Sequence, residues 1–72
     1  MQRTSEQMEL HTRLVRASIA RRDAILNPAQ EITFNDACWR AMDENPLLNF
    51  DGLMIAASIY LNLILEFPDL SL

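Results

Sequence analysis

Few side chains in this sequence could do chemistry, and none stands in a spacing that chemistry uses. The chain has one cysteine, Cys38, and one histidine, His11, which could in principle act as nucleophile and base. No local signature surrounds either, so the pair carries no catalytic reading and the chain is read as non-enzymatic. One cysteine excludes an internal disulfide, and one cysteine with one histidine cannot complete a structural zinc site within a single chain. Asp43 and Glu44 have no glycine-rich calcium loop around them, and the sole glycine, Gly52, leaves no loop that could cradle a phosphate. Neither a metal nor a cofactor is expected.

The other groups with chemical reach are arginines. All the basic residues are arginine and all lie in the first forty positions: Arg3, Arg13, Arg16, Arg21, Arg22 and Arg40. From Ala41 onward only acids occur, namely Asp43, Glu44, Asp51, Glu66 and Asp69. The net charge of −4 opposes non-specific nucleic-acid binding, which depends on many cationic contacts to phosphate. Arg13, Arg16, Arg21, Arg22 and Trp39 are the candidates for contact with a partner or with nucleic acid. The plainer reading is a solvated helix face. Glu9 stands four residues before Arg13, and Arg21 and Arg22 complement the negative end of a helix.

These residues must be carried by helices. Thr4-Ser5-Glu6-Gln7 has the form of a capping box, and no Gly or Pro interrupts the chain before Asn27-Pro28. This predicts a first helix over about 5–26. Met8, Leu10, Leu14, Val15, Ile25 and Leu26 form its apolar stripe. His11, Ser18 and Arg22 fall near the centre of that stripe, as if in a groove between flanks that face two neighbours. There Arg22 could snorkel, or could reach an acid such as Glu66 or Asp51 across an interface. A second helix is expected over about 35–44, capped by Thr33 or Asn35, with Phe34, Ala37, Cys38, Ala41 and Met42 inward and Trp39 at the margin. The third, over about 51–66, is capped by Asp51 or begins earlier near Asn45-Pro46. Residues 1–72 form one small domain, with 1–4 and 69–72 expected to fray.

The third helix is the least usual part. From Leu53 to Leu65 only Ser58 and Asn62 interrupt an apolar run; with Asp51 and Glu66 they form a narrow polar seam. Thirteen residues rise only about 20 Å, against about 30 Å of hydrocarbon, so no membrane span is expected. Two amphipathic neighbours would leave several large side chains in water, forgoing on the order of 6–12 kcal/mol. A second molecule is the simplest cover. The fold class is therefore all-α, three helices with a central apolar third, assembled as a homodimeric helical bundle. The expected self-association surface is Leu53, Ala56, Ala57, Tyr60, Leu63, Ile64 and Phe67.

A helix-turn-helix is excluded, because the helix that would read DNA carries no basic residue. The sequence supports a small, non-enzymatic, homo-oligomeric interaction or regulatory protein that docks onto itself and an unidentified protein. The alternative is a dimeric nucleic-acid-binding regulator using the arginines of the first helix. With a polar start, no visible secretory signal and an unpaired cysteine, the cytoplasm is the expected compartment.

Overall fold

The computed structural model describes residues 2–69 and shows three α-helices: α1 (Ser5–Arg22), α2 (Pro28–Glu44) and α3 (Phe50–Glu66). No strand occurs among the described residues; the short alternation Ile32-Thr33-Phe34 lies inside α2. No helix among them is long and apolar enough to cross a membrane.

Each helix starts on a polar cap. The Gln7 N–H donates to Thr4 Oγ1 at 3.1 Å and the Thr4 N–H donates to Gln7 Oε1 at 2.8 Å, completing the box expected from sequence. α1 stops four residues before the expected Leu26. Asp23 adopts a left-handed conformation with φ 50°. Its N–H donates to the Ala20 carbonyl and that of Ala24 to the Ile19 carbonyl, which is the Schellman closure. Ala24 to Leu26 are compatible with helix, but the chain must reverse here, and those residues are spent on the turn.

The second boundary differs further. Asn27-Pro28, read as the stop of the first helix, is the start of the next. Asn27 Oδ1 accepts the Gln30 N–H at 2.8 Å, Gln30 Oε1 accepts the Asn27 N–H at 3.0 Å, and Pro28 occupies the first helical position. Proline suits that position because its missing N–H would have no helical partner there. α2 thus begins seven residues before the expected Asn35. At α3 the cap is Asn49, not Asp51; its Oδ1 accepts the Gly52 N–H at 2.9 Å, and Asp51 lies in the positive first turn. Glycine at 52 gives room to Leu48, whose Cδ2 would lie 3.1 Å from an added Cβ.

Contacts set the topology. Arg3 meets Asp43 and His11 meets Asn35, so α1 and α2 run antiparallel. Arg13 meets Phe50 and Ser18 meets Met54, so α1 and α3 run side by side in one direction. All three pairs of helices touch. The core is Leu14 from α1, Phe34, Ala37, Cys38 and Ala41 from α2, and Leu53, Met54, Ala57, Leu61 and Ile64 from α3.

The polar groups expected between the flanks of α1 are accommodated. His11 and Ser18 are buried, one against each neighbour, with Ser18 Oγ donating to Met54 Sδ at 3.5 Å. Arg22 stays exposed. Among the described residues no buried side-chain nitrogen or oxygen lacks a partner. Met1 and residues 70–72 lie outside those described, and with them most of the frayed ends expected from sequence. Arg3 and Thr4, within the expected fraying, are held by Asp43 and by the α1 cap.

Candidate functional site

Leu47, Ile25 and Ile32 are exposed outside α3, and the outward face of α3 carries two further exposed isoleucines on one regular helix. At 100° per residue, the buried positions of α3 lie on one side and Asp51, Ile55, Ile59, Asn62 and Glu66 on the other, all five exposed. Ile55 is 64% exposed and Ile59 57%, one turn apart on a regular helix. Ala56, Tyr60 and Leu63, partly covered, continue the apolar surface around one edge. On the other edge the last turn of α1 brings Arg21 and Arg22 alongside, and a surface groove is lined by Arg21, Arg22, Ile55, Ser58, Ile59 and Asn62.

The residues expected to mediate self-association divide three ways. Leu53, Ala57 and Ile64 belong to the core of a single chain, because α1 and α2 already cover that side of the helix. Ala56, Tyr60 and Leu63 are half-buried at its margin, and Phe67, just past the helix end, is 52% exposed. Ile55 and Ile59 were not among the expected residues. The signal for them was the polar seam: Asp51, Asn62 and Glu66 mark the solvent side, and the two isoleucines share it by helical arithmetic.

The expected contact residues also separate. Arg13 lies over the Phe50 ring, 4.6 Å from its centroid, and so braces α1 against the start of α3. Arg16 is exposed. Trp39 is no free anchor: the His11 ring stacks on it, and the Arg3 guanidinium lies 4.2 Å from its centroid. Arg3 donates from both terminal nitrogens to the Asp43 carboxylate, at 2.5 and 3.0 Å. That hydrogen bond holds the Asp43 carboxyl below its usual range, a little desolvation opposing it and the attraction between the charges assisting.

His11 and Cys38 are both buried. His11 Nε2 donates to the Asn35 carbonyl at 2.8 Å, which ties the ring to α2. Burial pushes the Cys38 thiol up to about 12, so the nucleophilic thiolate is suppressed at neutral pH. Among the described residues no group of three or more His, Cys, Asp or Glu side chains is placed to hold a metal ion.

Comparison with known protein families, with curated proteins and with solved structures finds no match to this chain. The fold therefore defines the class: a three-helix all-α domain, whose third helix exposes two isoleucines between polar residues.

Proposed function

We propose that this chain is a small, non-enzymatic interaction protein of the cytoplasm that self-associates and acts by docking onto another protein. The observation that supports this most is the pair Ile55 and Ile59, more than half exposed on a helix whose opposite side is already anchored in the core. A rigid helix presenting apolar side chains one turn apart is a common docking element.

Magnitudes limit what the pair can do alone. Covering one exposed isoleucine returns about 1.5 kcal/mol, so the four in a dimer return about 6 kcal/mol. A micromolar dissociation constant needs about 8 kcal/mol net, after the cost of association is met. The edge residues Ala56, Tyr60 and Leu63 and polar groups alongside must contribute. The surface sought in Leu53, Ala57 and Ile64 is in this reading moved by nearly a half-turn, with Ile55 and Ile59 at its centre.

The nucleic-acid reading is weaker. Arg13, Arg16, Arg21 and Arg22 spread around α1 and do not form one stripe, Arg13 is committed to Phe50, and Arg21 and Arg22 flank an apolar groove.

Light scattering from 1 to 500 µM, as approximate limits, tests self-association over the range of a weak to moderate dimer. A mass near twice 8.3 kDa is expected, falling to 8.3 kDa in a variant carrying Ile55→Glu and Ile59→Glu that keeps its helical spectrum. A wild-type chain of 8.3 kDa throughout that range would overturn the reading.

A further inference from the structure

The groove beside α3 has a floor and a rim of different character. Ile55 and Ile59 make the floor apolar, and Ser58 and Asn62 add hydrogen-bonding groups. Arg21 and Arg22 form a cationic rim, and no acidic side chain is among the lining residues. Arg3 is neutralised by Asp43 and Arg13 is stacked on Phe50, whereas Arg21 and Arg22 are exposed and make no ion pair among the described residues. An apolar floor edged by two unmatched arginines calls for an occupant that brings apolar side chains flanked by carboxylates.

The same surface carries that complement. Asp51 lies one turn before Ile55, and Glu66 lies one turn after Asn62, both exposed and both on the isoleucine side of α3. The patch is therefore apolar in the middle, acidic at its two ends and basic along one flank. An isologous contact requires a patch that complements itself, and this one does so in a register that carries an acidic end of α3 to the arginine flank rather than to the other acidic end. Its two arginines and two acids cancel, while the whole chain carries −4. Two copies that meet here avoid the repulsion that their net charge imposes elsewhere.

Size adds a second argument. The outer face of a 17-residue helix is about 25 Å long and about 10 Å wide, far short of the roughly 800 Å² per partner that a stable interface buries. A stable dimer through α3 must therefore recruit its flanks, and one of those flanks is the last turn of α1.

Resting on the self-association reading above, we infer that the groove is filled by the α3 of a second copy, in a register that brings one acidic end of that helix, Asp51 or Glu66, to Arg21 and Arg22. Because the contact is reciprocal, each ion pair forms twice, and together the pairs select the register of one α3 on the other.

Charge reversal with mixing tests this. One variant carries Arg21→Glu and Arg22→Glu, the other Asp51→Arg and Glu66→Arg, and sedimentation equilibrium follows each alone and the two mixed. Each alone is expected to self-associate about tenfold or more weakly than wild type, and the equimolar mixture to form heterodimers at close to wild-type strength. A neutral pair, Arg21→Gln and Arg22→Gln, serves if a reversed variant fails to melt cooperatively, and is expected to weaken self-association and make it less salt-dependent. A wild-type dimer that is indifferent to the arginine changes, or a mixture no stronger than its components, would overturn this contact while leaving self-association standing. A monomeric wild type would overturn both. Co-sedimentation of a monomeric wild type with phosphatidylserine vesicles, lost with Arg21→Glu and Arg22→Glu, would instead assign the surface to a membrane.

Discussion

His11 lies flat against Trp39, with ring centroids 4.0 Å apart and planes 7° from parallel, while its Nε2 donates to the Asn35 carbonyl. The two residues join α1 to α2 by stacking and by a hydrogen bond at once. The bond also defines the tautomer, since a carbonyl only accepts and Nε2 must carry the proton.

His11→Ala should therefore cost about 2 kcal/mol, from the lost stack and the lost hydrogen bond together. His11→Phe keeps a stacking ring and should cost about 1 kcal/mol. Urea unfolding followed by the fluorescence of Trp39, the one tryptophan, checks both. Equal costs for the two variants would show that the stack contributes nothing.

Asp43 predicts an acid response. The Arg3 hydrogen bond lowers its pKa in the folded chain, so its contribution is present above the unfolded value, near 3.9, and fades as pH falls through the folded value. Both side chains are largely exposed, so the contribution is small. Thermal midpoints of wild type and Asp43→Asn should differ modestly at pH 6 and converge below about pH 3. A gap that persists in strong acid would place the effect elsewhere.

Cys38 predicts the opposite dependence on pH. Its thiol is raised from 9.0 to about 12 by burial, so the folded chain holds the proton more tightly than the unfolded one. Stability is then full below about pH 9 and declines as pH rises toward 12. At pH 8, iodoacetamide should modify folded protein about a thousandfold more slowly than protein in urea. Cys38→Ala should remove the alkaline decline, as read from melts between about pH 7 and 11.

The two sides of α3 should respond to truncation differently. Leu61 is fully buried, and Leu61→Ala should cost about 2–5 kcal/mol of stability. Ile59→Ala, on the exposed side, should change the melting of dilute protein little while weakening self-association. Chemical denaturation at low protein concentration, paired with light scattering at high concentration, separates the two effects.

Much of this architecture is legible in the residues. Capping chemistry is local, so Thr4 with Gln7 identifies the start of α1 without any knowledge of its neighbours. The inward face of α2 is readable from Phe34, Ala37, Cys38 and Ala41 because helical periodicity is a property of the sequence itself. Asn27-Pro28 is harder to read because the same pair can do two jobs. Proline after asparagine can close one helix or open another, and here it opens α2 as part of its cap.

Sequence by itself determined that the chain is helical, where polar side chains interrupt each helix, and that α3 is too apolar for water to favour most of its circumference. Those are consequences of residue type and 100° spacing, which need no partner. Only the tertiary structure decided which sector of α3 is consumed by its own chain. Leu53, Ala57 and Ile64 went to the core, and Ile55 and Ile59 were left beside Arg21 and Arg22. The polar seam points to the outward side of α3, but a helix that is apolar around most of its circumference does not announce how wide a sector its own chain will cover. That choice is made when α1 and α2 pack, and it places two isoleucines outside with the acids of the polar seam.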